Sequence, residues 1–354
     1  MPDSRAETVA AVRPVLDYPF ESAPATGETV EVAPGVLWIR MPLPFALSHI
    51  NLWAIADGDG WAIVDTGIQT RETADAWRKL FAGPLQNKPV TRVLVTHMHP
   101  DHVGMAGWLT RKFQCRLWIT RLEFLTCRVL VADTGREAPD DGVNFYRRAG
   151  WDDEAIEHYR TRFGGFGKGT YKLPDSYRRL HDGERIRIGD HDWFVVVGNG
   201  HSPEHACFYC PSQKLLISGD QVLPRITSNV SVFPTEPDAD PLNDWLTSLE
   251  KIKERIPDDV LVLPAHNDPF RGLHARLDYL GASHREALAK LLAVLDSPKR
   301  AIDVFGALFS RPIDDQHLLG MATGESLAHL NYLLARGEAQ AVDDEHGIAW
   351  YRAA

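Results

Sequence analysis

Thr96-His97-Met98-His99-Pro100-Asp101-His102 places three imidazoles and a carboxylate within six residues, directly after the apolar, β-branched run Val90–Val95 (VTRVLV). A buried strand that ends in a sharp turn presents its next side chains at the C-terminal edge of the sheet, where open α/β architectures keep their ligand sites. His97 and His99 can then face one pocket while Asp101 and His102 turn into a second. Imidazole nitrogen and carboxylate oxygen are borderline ligands suited to zinc, iron or manganese. No thiolate accompanies them to mark a closed structural zinc site. An open coordination position, and hence chemistry, is the expectation.

Three later residues repeat the pattern of a ligand type at the end of an apolar run. His201 lies in GNGHSPEH (residues 198–205), Asp220 ends KLLISGD (214–220), and His266 ends VLVLPAH (260–266). Four strand ends are thereby able to converge on one point.

This ordered set, HxHxDH followed by His, Asp and His, resembles that of the metallo-β-lactamase fold superfamily over roughly residues 30 to 270. The resemblance implies an αββα sandwich of class α/β and a site for two divalent metal ions, zinc first, iron or manganese otherwise. His97, His99 and His201 would hold one ion, Asp101, His102 and His266 the other, with Asp220 bridging. Val64–Gly67 (VDTG) is similar to a segment beneath the metals in that superfamily. Asp65 would therefore orient a ligating histidine.

Composition agrees with a folded enzyme. The chain has 354 residues, 44% hydrophobic and 24% charged, with a formal net charge of −10. That balance argues against a general polyanion-binding surface, because nucleic-acid affinity rests on clustered Lys and Arg. An acidic substrate would need a local exception. No stretch nears eighteen consecutive apolar residues, and the polar N-terminus has no signal-peptide core, so no membrane partner and a cytoplasmic location are expected. Four cysteines make no disulfide framework. Cys207 and Cys210 form a CxxC in an apparent strand, where positions i and i+3 face opposite sides, so they are read as structural.

Patterning divides the chain into an N-terminal extension (1–28), a catalytic domain (29–297) and a C-terminal domain (298–354). Strands are expected at 30–40, 50–56 and 61–67, the last two joined by the Asp-Gly hairpin signal of residues 57–60. Helices are expected at 71–81, 101–113, 240–256 and 269–295. Residues 121–178 form a helical insertion, expected to overhang the site as a lid and to set substrate choice. Its glycine run, 163–169, lacks the spacing of a phosphate loop and is read as a hinge. Arg225, Thr227 and Asn229, beside Asp220, either hold a substrate carboxylate or carbonyl or close their own loop.

After Pro298, helices at 301–309, 314–321 and 324–335 and a terminal hairpin resemble a winged-helix domain. Five Lys or Arg there face eight Asp or Glu, so nucleic acid is not the expected partner. Docking on the catalytic domain, or contact within a homodimer, is.

Two adjacent cations bring a shared water's pKa toward neutrality, so a metal-bridging hydroxide is the expected nucleophile, with Asp101 aligning it and accepting its proton. A resemblance to the hydroxyacylglutathione hydrolase and lactonase branches implies an ester, thioester or lactone of a small acyl substrate. The glutathione branch's C-terminal substrate-binding helices are not recognisable. A phosphodiesterase or ribonuclease, a non-enzymatic regulator and a mononuclear iron dioxygenase are the alternatives.

Overall fold

The computed structural model describes residues 11–44 and 47–354; the first ten residues of the N-terminal extension lie outside it, and His317 is described by its backbone alone. Two sheets face each other. The first is built in sequence order from β1 (Thr29–Ala33), β2 (Val36–Pro42), β3 (His49–Asp57), β4 (Gly60–Val64), β5 (Val90–Leu94), β6 (Arg116–Ile119) and β7 (Arg178–Arg179). The second contains β8 (Arg185–Ile188), β9 (His191–Gly198), β10 (His205–Cys210), β11 (Leu215–Gly219) and β12 (Leu261–Pro264), in the order β12-β11-β10-β9-β8. Each sheet is antiparallel until it reaches the site, where β4–β5–β6 and β11–β12 pair in parallel. Parallel strands direct their C-terminal ends to the same edge. That edge carries Asp65, His97, Asp220 and His266.

Helices cover both outer faces. On the first sheet lie α1 (Arg71–Ala82), α2 (Pro100–Val103), α3 (Ala106–Phe113) and α4 (Arg121–Ala132); α5 (Asp140–Arg148) and α6 (Asp153–Arg162) follow in the insertion. On the second lie α7 (Pro241–Arg255) and α8 (Leu273–Val294); the chain ends in α9 (Phe305–Leu308), α10 (Gln316–Ala335) and the hairpin β13 (Ala339–Asp343) and β14 (Ala349–Ala353). Apolar side chains separate these layers into three clusters. One joins Trp77, Leu80 and Leu109 to the first sheet, one fills the space between sheets with Trp38, Trp53, Trp193 and Phe208, and one joins Trp245, Leu277 and Leu330 to the second. Cys207 belongs to the outer cluster and Cys210 to the inter-sheet one, as strand alternation requires, and both thiols are free. The αββα sandwich is therefore present. No helix among the described residues is long and apolar enough to cross a membrane.

The strand expected at 30–40 is the hairpin of β1 and β2, turning at Gly35 (φ 74°), and the helix expected at 301–309 is a 3-10 turn, Ala301–Val304, followed by the short α9. Four further expectations change. The helix at 101–113 is broken into α2 and α3, because Met105 leaves helical geometry (φ −99°, ψ 7°) while its N–H bonds to the Gly67 carbonyl and the Thr66 hydroxyl. The glycine run is a 3-10 turn, Gly165–Gly169, rather than a loose hinge. Hydrogen bonds from Gln69 N–H to the Gly169 carbonyl (2.9 Å) and from Tyr171 N–H to the Gly104 carbonyl (2.7 Å) tie it to the motif. The insertion holds a helix, α5, beyond the two that its pattern predicts at 122–132 and 151–163, and its start is marked by no side-chain cap. The helices expected at 314–321 and 324–335 are one, α10. Gly324 is used there for close approach, since a Cβ on it would sit 2.7 Å from the Ser231 hydroxyl.

The N-terminal extension runs along the surface, pairing Asp17 with Arg271 and setting Phe20 edge-on to Trp38. Phe208, fully buried between the sheets, offers a direct test of the sandwich. Phe208→Ala should lower stability by about 3–5 kcal/mol, read as a reduced urea midpoint in chemical unfolding. A loss below about 1 kcal/mol would mean that the gap between the sheets is not close-packed.

Candidate metal centre

The site begins with the turn after β4. Asp65 adopts φ 60°, a left-handed conformation that Asp tolerates better than most residues. The turn aims its carboxylate under the neighbouring strand end. One oxygen accepts the Thr96 N–H (2.8 Å); the other accepts the Thr96 hydroxyl (2.8 Å) and faces His102 Nδ1 (2.8 Å). The imidazole is thereby fixed with Nδ1–H toward Asp65 and Nε2 toward the centre. The His102 carbonyl also receives the Thr66 N–H and hydroxyl, at 2.8 and 2.7 Å.

His201 and His266 are set in the same way by backbone carbonyls. His201 Nδ1 donates to the Asn229 carbonyl (2.7 Å) and His266 Nδ1 to the His49 carbonyl (3.0 Å). Their Nε2 atoms point inward. Gly219, at φ 51°, delivers Asp220 beside them, and only glycine fits there: a Cβ would fall 2.5 Å from His205 Nε2.

All seven expected residues converge. The candidate ligand atoms of His97, His99, His201 and Asp220 lie within 4.8 Å of one another, as do those of Asp101, His102 and His266. Asp220 links the two groups. Its Oδ2 lies 3.5 Å from His201 Nε2, while its Oδ1 lies 3.5 Å from both His102 Nε2 and His266 Nε2. Asp101 Oδ2 stands 3.5 Å from His266 Nε2 and 3.7 Å from His102 Nε2.

The electrostatics fit a cation. His102 Nε2, His201 Nε2 and Asp220 Oδ1 are buried and lack a hydrogen-bond partner, a costly arrangement for polar atoms. Burial lowers the basicity of His97, aided by His102 and His99, and brings His99 down to about 3, keeping both rings neutral and able to ligate. Burial opposes charge on His266 too, yet Asp220 and Asp101 push it up to about 10. Burial likewise works against the charged form of His102, but Asp101, Asp220 and Asp65 raise it well above the ordinary histidine value. The two carboxylates therefore demand positive charge between them. A divalent ion meets that demand while leaving every imidazole neutral.

Sequence reasoning missed three supports. Glu123, fully buried at the start of α4, accepts Met98 N–H (2.8 Å), the Ser202 hydroxyl (2.6 Å) and Glu204 N–H (2.7 Å). It clamps the loop of His97 and His99 to the loop of His201. Asn51 donates to the carbonyls of Pro264 (2.9 Å) and Asn267 (2.6 Å), fixing the turn that carries His266. His205 accepts Asp220 N–H (3.1 Å) and stacks on His97, centroids 4.8 Å apart. His205 alone carried a local signal, being four residues after His201. Of the loop candidates, Asn229 is engaged as a support: Ser231 donates to its amide oxygen, and its amide nitrogen donates to Glu325 (3.0 Å). Arg225 pairs with Asp268 at 3.5 Å, and Thr227 is exposed. The loop is closed mainly by Arg276, which bonds the carbonyls of Leu223 and Ile226 (2.6 Å each).

An αββα sandwich with a buried His/Asp cluster at one strand edge defines a metal-dependent hydrolase. The chain belongs to the metallo-beta-lactamase superfamily, whose profile matches residues 47–266; the profile of the metallo-beta-lactamase-like C-terminal domain matches 288–354. A beta-lactamase domain protein from Burkholderia ambifaria is 41% identical, with a TM-score of 0.88 over 96% of this chain and 98% of its own. The human acyl-coenzyme A thioesterase MBLAC2 is 23% identical over 67% of this chain and 79% of its own length. The atrochrysone carboxyl ACP thioesterase of Aspergillus fumigatus is 24% identical over 66% of this chain, an alignment spanning only 41% of that enzyme.

Asp65→Asn should leave the fold intact while loosening His102, because an amide cannot accept at both oxygen positions. A loss of about 10–100-fold in metal affinity is expected, measured by competition with a chromogenic chelator. Unchanged affinity would show that Asp65 only caps its turn.

Proposed function

We propose that this chain hydrolyses a thioester, or a related ester or lactone, of a small acyl substrate at a dinuclear metal centre. The observation that carries the reading is the division of Asp220 between the two ligand groups. One oxygen faces His201 and the other His102 and His266. His97, His99 and His201 would hold one ion, and Asp101, His102 and His266 the other, with Asp220 bridging. Zinc suits this imidazole and carboxylate set; iron or manganese are the other candidates. Two such ions would lower the pKa of water toward neutrality and polarise the acyl carbonyl.

The protein's own part is positioning and proton transfer. Asp101 is only partly buried (side chain 19% exposed), so it reaches both the ligand cluster and the substrate side. Its carboxylate is opposed by burial but held below its ordinary range by His102 and His266. As the charged form, Asp101 would orient the attacking water and take its proton. Asp65, Glu123, Asn51 and His205 would keep the ligands within the narrow geometry that catalysis needs.

The choice of acyl chemistry draws on the printed activities of MBLAC2 and the atrochrysone enzyme, both thioesterases. We read residues 29–297 as the catalytic unit and 298–354 as a small winged-helix-like domain that docks on it; the C-terminal family match begins at residue 288, inside α8. The same reading gives that domain no nucleic-acid role.

Metal-loaded protein should cleave acyl thioesters faster than a bis-aryl phosphodiester, in initial rates measured side by side. Treatment with EDTA should abolish turnover, and added zinc should restore it. Asp220→Ala should lose both activity and bound metal; a metal-replete, active variant would refute the bridging role. A preference for the phosphodiester would overturn the acyl reading.

A further inference from the structure

The insertion, the loop after Asp220 and the C-terminal segment form an open pocket of about 280 Å³. Its walls are aromatic. Tyr146 stacks on Trp151 with ring centroids 4.2 Å apart and lies 4.8 Å from Tyr159, which in turn meets Phe163 at 6.0 Å. Across from them stand Gly320 and Met321 of α10. Trp151 Nε1 donates to Thr323 of that helix (2.9 Å), so the two walls are fixed to each other. At the mouth, Phe233 and Met321 are 48% and 40% exposed, unusual for side chains this large and apolar.

The remaining wall is the loop 229–233, and this connects the cavity to the chemistry. The loop begins at Asp220; the Asn229 carbonyl holds His201 Nδ1, and Asn229 and Ser231 line the cavity. A group lodged there lies one peptide unit behind a ligating imidazole. The lining includes no carboxylate, and beside the aromatic rings it carries Arg162, His158 and Gln316, so it suits an apolar group joined to a polar or anionic one rather than a cation.

We propose that this cavity holds the apolar acyl group of the substrate, and that Gly320 sets the length it admits. The statement rests on the hydrolase reading for its use of substrate, while the pocket and its preference for an apolar ligand do not. The volume of about 280 Å³ is near the lower end of small-molecule pockets, which suits a medium-length or single-ring acyl group. Gly320 is the position to test because a Cβ there meets nothing within 4 Å. It sits inside a helix, where leucine is the better helix former. Gly320→Leu therefore fills the cavity without forcing the fold to move.

The experiment pairs calorimetry with kinetics on the full metal-loaded chain. Sodium octanoate should bind the wild-type protein, and Gly320→Leu should abolish that binding while retaining the melting temperature. The ratio of kcat/KM for octanoyl over acetyl thioester of N-acetylcysteamine should fall at least about tenfold in the variant, chiefly through KM. Octanoate binding that is unaffected by Gly320→Leu, or absent from the wild type, overturns the proposal, as does an unchanged octanoyl-to-acetyl ratio. If neither thioester is cleaved but Gly320→Leu removes octanoate binding, the hydrolase reading fails while the apolar pocket stands.

Discussion

Burying five imidazoles and two carboxylates at one point is the constraint on which this structure depends. Each group loses water, and an unpaired buried polar atom costs roughly 1–3 kcal/mol. Five of the seven are under 9% exposed, His97 and His102 completely buried. Such a cluster persists only if the backbone around it is over-determined. The fold meets this requirement with strand ends rather than loops. β4, β5, β11 and β12 all terminate at the site, and their parallel pairing carries the register of one strand into the next. The inter-sheet core of Trp38, Trp53, Trp193 and Phe208 holds the two halves together, so the ligands from one sheet face those from the other without a flexible linker between them.

Between the strand ends, single polar side chains bridge segments that are distant in sequence. Asp65 spans 37 residues to reach His102, Glu123 spans 79 to Ser202, and Asn51 spans 213 to Pro264. Each satisfies two or more partners, which makes the network rigid rather than merely attractive. Glu123 illustrates the balance. Burial raises its pKa, and hydrogen bonds from Ser202, Glu204 and Met98 oppose the shift. Its carboxylate is worth burying only because it joins the two loops that place His99 and His201.

The legible part of the site was the part written locally. HxHxDH packs four ligand-type residues into six positions, and His201, Asp220 and His266 each follow an apolar run. Those signals survive without knowing the fold. Asp65 came from resemblance, since a turn aspartate after a strand is common; its left-handed backbone and its bonds to Thr96 and His102 are properties of the folded chain. Glu123 and Asn51 had no signal, because their partners are far away in sequence and neither residue type is distinctive in its surroundings. Helix boundaries failed for a related reason. Met105 leaves the helix to bond with Gly67 and Thr66, and Gly324 stays in one because it packs against Ser231. Both glycine and motif punctuation were overridden by tertiary contacts that local pattern does not contain.

The same logic ties the C-terminal segment to the centre. Glu325 on α10 accepts from the Asn229 amide, while the Asn229 carbonyl accepts from His201. Val232 N–H bonds to the Gly324 carbonyl (3.0 Å), Asn331 donates to the carbonyls of Pro237 and Ala239, and Arg336 pairs with Asp240. The segment from Asn229 to Asp240 is therefore held along its length by α10. On its other side α10 meets the insertion through Trp151, and Arg148 of the insertion pairs with Asp343 of the terminal hairpin. The insertion, the loop after Asp220 and the C-terminal helix thus form one contiguous wall beside a ligand cluster that the sandwich has already fixed. A fold arranged this way separates two tasks. The strand ends fix the His/Asp cluster, whose seven side chains are packed and hydrogen-bonded on every side. The wall touches the cluster through the Asn229 carbonyl, the Glu123 carboxylate and the Ser228 hydroxyl, so those groups are tied to the ligands while the aromatic side chains around Tyr146 and Trp151 are not.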